Sequence, residues 1–155
     1  WDQINCMIVW VISSLATCLR LMVGVLIWNP STKQIISVGY NGAPKGMPHC
    51  LDEGCEMEGG HCVRCLHGDT NALYWAGTAS MGCWMYLNYN PCRRCVNHII
   101  QAGITRVVFT EYYGSNASET LALLEAHGVE TKHYPRTKVY EGFLTVLHRL
   151  FYNKN

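Results

Sequence analysis

The chain has 155 residues, 49% apolar and 15% charged, with a formal net charge of +1. That length suits a single domain over residues 1–155. The absence of any basic run or tail argues against long nucleic acid as a partner, while a small anionic substrate needs only a few local cations. Nine cysteines are present. Their odd number and short C-x-x-C spacing favour metal binding in a reducing compartment over a disulfide framework.

Trp1 to about Leu19 reads as a helix, with Ile4, Met7, Ile8, Val11, Ile12 and Leu15 at helical spacing. Its other side carries Trp10 and few charges, which suits burial on both faces or an ordinary core helix. Asn5, Ser13, Ser14, Thr17 and Arg20 interrupt the apolar run before it reaches the length of a membrane span. The basic start and small-residue cleavage site of a signal peptide are also missing, so a cytoplasmic location is expected. Val23–Trp28 and Gln34–Tyr40 read as two strands of a hairpin joined by Asn29-Pro30-Ser31-Thr32-Lys33. Asn41-Gly42-Ala43-Pro44-Lys45-Gly46 makes a tight loop after them.

Met47 to about Leu66 has little periodicity but holds His49, Cys50, Cys55, His61, Cys62 and Cys65. With Cys18 these form either a second, closed zinc site or a set of free thiols packed as small hydrophobes. His67 to Ala76 is expected to be helical, with His67 and Asp69 in its first turn, where a helix favours negative charge and offers free N–H groups. Cys83–Asn88 reads as a strand. Pro91 then opens a helix running to about Ala102, which puts Cys92 and Cys95 on one face. Thr105–Thr110 and Val129–Tyr134 are further strands, and helices are expected from Ser115-Asn116 to about His127 and from Lys138 to about Phe151. The order predicts a five-stranded sheet with helices on both sides.

The chemistry centres on His67, Asp69 and Pro91-Cys92-x-x-Cys95. Zinc takes imidazole and thiolate ligands, and three of them leave the fourth tetrahedral position for water. Bound zinc lowers the pKa of that water toward neutrality. A carboxylate beside the metal, but not on it, can then move protons. A purely structural site is the other reading of these residues, with Asp69 rotated inward as a fourth ligand. Arg93 and Arg94 are either solvated helix residues or within reach of a phosphate.

The pattern H-x-[DE]…P-C-x-x-C resembles the zinc-dependent nucleotide deaminases. Further matches to the deoxycytidylate deaminases of the cytidine deaminase superfamily are Thr17-Cys18-Leu-Arg20 with Val23-Gly24, and Gly39-Tyr40-Asn41-Gly42-Ala43-Pro44 with His49-Cys50. Gly54-Cys55, His61-Cys62, Asn71-Ala72 and Ile99-Ile-Gln-Ala-Gly-Ile104 also match. The resemblance implies a three-layer α-β-α sandwich with a five-stranded mixed sheet. It implies hydrolysis of dCMP to dUMP and ammonia in pyrimidine deoxynucleotide supply, catalytic Zn2+, and a homohexamer with dCTP and dTTP as effectors. By the same resemblance His67, Cys92 and Cys95 ligate zinc and Asp69 shuttles protons. The Gly68 N–H meets the base carbonyl, Asn41 holds the deoxyribose hydroxyl and Tyr113 lies near the base. A second zinc would use Cys18 and Cys50, with His61, Cys62 and Cys65 as candidates for the remainder.

Two positions depart from that family. Asp69 stands where it has Glu, which withdraws the carboxylate by about 1.5 Å. Gly68 replaces its usual Ala, and a glycine backbone can let the turn approach the metal. The departure leaves three readings: an active enzyme, a shifted substrate, or a non-catalytic zinc-bound assembly or regulatory relative. Deamination of single-stranded nucleic acid is a rival activity, which predicts basic grooves and aromatic platforms.

Overall fold

The computed structural model describes residues 1–152. Strands β1 (Gly24–Asn29) and β2 (Gln34–Tyr40) pair as an antiparallel hairpin, and β1 pairs antiparallel with β5 (Trp84–Tyr89) on its other side. β5, β6 (Arg106–Glu111) and β7 (Glu130–His133) run parallel, giving the mixed order β2-β1-β5-β6-β7. The two additional strands β3 (Met57–Glu58) and β4 (His61–Cys62) form a separate small hairpin.

Alternation along the central strands builds two cores. Val25, Ile27, Met85, Leu87 and Val107 meet α3 (Gly68–Ala76), α4 (Arg93–Gln101) and α5 (Ala117–Ala126) on one face. Leu26, Trp28, Tyr86 and Val108 meet α1 (Asp2–Ser13) and α6 (Arg136–Phe151) on the other. The result is the expected three-layer sandwich. No helix among the described residues is long and apolar enough to cross a membrane.

Three expectations change. α1 ends at Ser13 rather than near Leu19. Ser13 and Ser14 donate their hydroxyls back to the Trp10 and Val11 carbonyls, a local bond that competes with helix continuation. The buried face of α1 is also rotated: Cys6, Met7, Val9 and Ile12 are inside, while Ile4, Val11 and Leu15 are exposed. The segment after Met47 is more ordered than its lack of periodicity suggests, with α2 (Cys50–Glu53) preceding the β3–β4 hairpin. Finally, Cys92 is the residue that caps α4, so only Cys95 lies inside the helix.

Two glycines fix how α3 meets the sheet. A Cβ on Gly39 of β2 would lie 2.3 Å from the Gly68 carbonyl oxygen. A Cβ on Gly68 would lie 3.2 Å from Tyr40 Cα and from Val25 Cγ2. The start of α3 therefore presses directly onto β2, and Gly68 contributes closeness there, without the left-handed backbone that other turns in the chain require.

Candidate metal centre and substrate cavity

His67 and Cys92 cap the N-termini of α3 and α4, both in extended conformation, and Cys95 sits in the first turn of α4. This brings three ligand atoms together. His67 Nδ1 is 3.4 Å from each thiol sulfur, and the two sulfurs are 3.4 Å apart. Tetrahedral zinc, with bonds of about 2.0–2.3 Å, asks for ligand separations of about 3.5–3.8 Å, so the donor set fits with a slight expansion. Among the described residues no fourth His, Cys, Asp or Glu joins this group.

One thiol of the triad is drawn toward its anionic, metal-binding form. The Cys92 and Cys95 sulfurs share a hydrogen bond, and that bond, helped by His67, draws the Cys92 pKa down to about 3 against the cost of burial. Cys95 is pushed up by the same bond and by burial. The hydrogen bond to Cys92 also raises His67.

Asp69 is 4% exposed. Its Oδ1 accepts the Thr70 N–H at 2.9 Å, and its carboxyl contacts Cys95. Burial pushes this carboxyl up, with the Cys95 hydrogen bond working the other way. Asp69 therefore lies beside the triad without completing it. His67, Asp69 and Cys92 open onto a cavity of about 500 Å3. Asn41, His67, Asp69, Tyr89, Asn90 and Tyr113 line it, with Arg20, Arg93 and Arg94 as its cations.

Asn41 is the hub of this wall. Its Oδ1 accepts the Gly68 N–H at 2.7 Å and its Nδ2 donates to the Leu21 carbonyl at 2.9 Å. Each end of a carboxamide keeps one further bonding site, so Asn41 can still meet a sugar hydroxyl. The Gly68 amide has only one hydrogen, and Asn41 takes it. Without substrate, then, the Gly68 N–H expected to meet a base carbonyl is engaged by Asn41. The next amide, Asp69 N–H, lies in the first helical turn, where donors lack intrahelical partners.

The second cluster resolves to four thiols. The sulfurs of Cys18, Cys50, Cys62 and Cys65 all lie within 4.8 Å of one another, with Cys50 3.3 Å from Cys65 and 3.6 Å from Cys62. His61 is not part of this group; it lines the cavity instead. Four soft ligands without an open position suit a structural zinc. Leu66, between Cys65 and His67, exchanges two backbone hydrogen bonds with Gly42 at 2.9 and 3.2 Å, so both clusters hang from the Asn41-Gly42 loop.

Sequence reasoning missed Asn88 and Asn90. Asn88 is fully buried; its side chain accepts the Gly24 N–H at 3.0 Å and donates to the Met22 carbonyl at 2.9 Å. It thus secures the entry to β1. The available signal was two asparagines flanking Tyr89 in an apolar strand, a pattern that an apolar core alone does not explain.

A mixed sheet between helical layers, with an imidazole and a Pro-Cys-x-x-Cys pair converging from two helix N-termini, defines the class of zinc-dependent deaminases. The chain belongs to the cytidine and deoxycytidylate deaminase zinc-binding family, whose model it matches over residues 5–111. It is 42% identical over 101 residues to ComE operon protein 2 of Bacillus subtilis, covering 63% of this chain and 52% of that protein. It is 28% identical over 146 residues to deoxycytidylate deaminase of Saccharomyces cerevisiae, covering 89% and 46%. The chain thus spans about half the length of these curated relatives. The cyanophage S-TIM5 dCMP deaminase in complex with dCMP and dUMP superposes with a TM-score of 0.73 at 26% identity, covering 86% of this chain and 96% of that one.

Proposed function

We propose that the protein hydrolyses dCMP to dUMP and ammonia. The observation that carries this reading is the open three-ligand centre with a buried carboxyl beside it at the base of a cavity. When bound, zinc at His67, Cys92 and Cys95 supplies a water made acidic enough to attack near neutral pH. Among the described residues Asp69 is the only acid lining the cavity. It takes the proton of the attacking water, delivers it to ring N3, and protonates the leaving amine. The first water proton stays on N3; the second, passed by Asp69 from the C4 hydroxyl to the amine, leaves with ammonia as the C4–N bond breaks and the C4–O bond becomes a carbonyl. Thr70 N–H holds one Asp69 oxygen in place. Asn41 meets the sugar hydroxyl, and Tyr113 supplies an aromatic wall for the base.

The cavity's charge supports a nucleotide over a free nucleoside. Three arginines line it against one acid, although the whole chain carries only +1. The reading extends to a second Zn2+ at the four thiols. It also extends to a homo-oligomer, a hexamer by resemblance, responsive to dCTP and dTTP and working in cytoplasmic pyrimidine deoxynucleotide supply.

The short acid at position 69 favours one other reading, a zinc-bound assembly subunit without turnover. Purified protein assayed with dCMP for ammonia and dUMP separates the two. Turnover by the parent that Asp69→Asn abolishes supports the proposal. No turnover by the parent, with strong gain in Asp69→Glu, establishes the subunit reading. Deamination of oligonucleotide cytosines but not of dCMP overturns the nucleotide assignment.

A further inference from the structure

We propose that Asn90 is a positioning residue for the substrate base, acting by clamping the Tyr113 peptide so that its ring forms a fixed wall of the cavity. For the identity of the ligand, the inference rests on the nucleotide reading above.

The argument begins with how the β5–β6 pairing ends. The two strands run in parallel register as far as Tyr89 opposite Glu111, and the Asn90 N–H donates to the Glu111 carbonyl at 3.1 Å. A regular parallel ladder would next have Tyr113 N–H donate to a main-chain carbonyl of β5. The main chain does not supply that rung, because Pro91, with its fixed φ, turns the backbone away toward the cap of α4. The Asn90 side chain replaces it. Its Oδ1 accepts the Tyr113 N–H at 2.6 Å, and its Nδ2 donates to the Tyr113 carbonyl at 3.3 Å and the Pro91 carbonyl at 3.4 Å. One carboxamide thus mimics the peptide that the sheet lacks.

Burial makes this clamp matter. Asn90 is 6% exposed, so water competes little for its amide, whereas Tyr113 is 41% exposed on the coil after β6. The next residue, Gly114, has a φ of 83°, a left-handed conformation that glycine takes without strain and that ends the strand direction there. Apart from the clamp, the Tyr113 ring is steadied by an edge-on contact with Tyr89, centroids 6.1 Å apart. Tyr89, Asn90, Cys92 and Tyr113 line the same cavity. Asn90 therefore ties the aromatic wall to the turn that presents a metal ligand, and it sets where a planar base can lie between them. Asp69 carries the proton transfers, so removing the clamp changes binding more than chemistry.

The test is a double-mutant cycle on the full chain, read by dCMP turnover, by calorimetric dCMP binding and by metal content. Asn90→Ala is expected to raise both Kd and KM for dCMP by about tenfold, the scale of lost hydrogen bonds. Metal content and kcat should be little changed. Asn90→Asp keeps the shape and the acceptor but faces the Tyr113 carbonyl with a second acceptor; about a fivefold rise is expected from the lost donor. Because this variant is isosteric, it tests the clamp even if Asn90→Ala fails to fold. Tyr113→Ala should raise Kd similarly, and the double variant should bind no worse than the weaker single, since both remove one unit. Additive effects overturn the proposal, as does a loss of thermal stability or metal with Kd unchanged. If the parent binds dCMP without deaminating it, the proposed activity fails while the Kd cycle still decides the clamp. Failure to bind dCMP overturns both.

Discussion

The two soft-ligand clusters lie two residues apart in sequence, at Cys65 and His67, yet are built for different work. The four-thiol group of Cys18, Cys50, Cys62 and Cys65 is closed by its own ligands. Arg64 braces the loop around it through Glu53 and Glu56, at 3.4 and 3.7 Å. The triad of His67, Cys92 and Cys95 has one ligand fewer and a buried acid beside it, in a cavity that Cys18, Cys62 and Cys65 also reach. The count and surroundings of ligands therefore separate a strut from a reactive centre, although cysteine dominates both. The closed cluster also orders the segment that delivers the open one, because Leu66 is pinned to Gly42 between them.

The largest effect that tests this contrast is expected from Cys92→Ser. Loss of one of three ligands should lower metal content by one ion per chain and dCMP turnover on the order of a thousandfold or more, consistent with the weight of electrostatic and metal activation. Metal analysis and steady-state assay check it together. Asp69→Asn should follow, with a kcat loss of about 10²–10⁴, the range for a general acid–base group, and no change in metal. If Asp69→Asn lost the metal as well, the carboxyl would be a ligand, and the difference between open and closed clusters would disappear. Cys50→Ser should also remove one ion, but its main readout is stability. Metal binding at a closed site is folding free energy, so a drop in Tm on the order of 10 °C is expected, with a smaller loss of turnover than either change at the open centre.

The sequence was informative wherever spacing encodes geometry. Pro91-Cys92-x-x-Cys95 carried both cysteines to one helix start, and β-rich runs between turn signals marked all five strands of the main sheet. It was misleading for α1, where Ile4 and Val11 look like core but lie outside while the polar Asn5 is buried. Apolar periodicity cannot choose between faces when a helix is apolar on most sides. Cys18 was placed in the second cluster, but its full membership stayed open because His49, Cys55 and His61 share a loop with Cys50, Cys62 and Cys65, and spacing does not say which side chains turn together. Asn90, and the hold that Asn41 has on Gly68, escaped for a related reason: each asparagine bonds a backbone group distant in sequence, Tyr113 and Gly68 respectively.

The smallest expected effect lies on the opposite face of the sheet and separates fold stability from metal-linked stability. Asp2 accepts hydrogen bonds from Lys132 at 2.6 Å and Tyr86 at 2.8 Å, with Arg106 3.4 Å away. Burial alone would raise its pKa, but these partners outweigh it and hold the carboxyl below its usual value. Its contribution is therefore complete above the unfolded pKa of about 3.9 and is lost as pH falls through the lower folded value. Asp2→Asn should cost about 1–3 kcal/mol at pH 7, the scale of hydrogen bonds to a charged group. Urea unfolding of parent and variant should show that difference constant from pH 7 to pH 5 and shrinking below about pH 4. Over the upper interval, protons already compete with metal for the thiolates. A Cys50→Ser difference should accordingly begin to shrink at higher pH than the Asp2→Asn difference. Were the two to shrink together, the closed cluster would owe its stability to packed thiols and not to a bound ion.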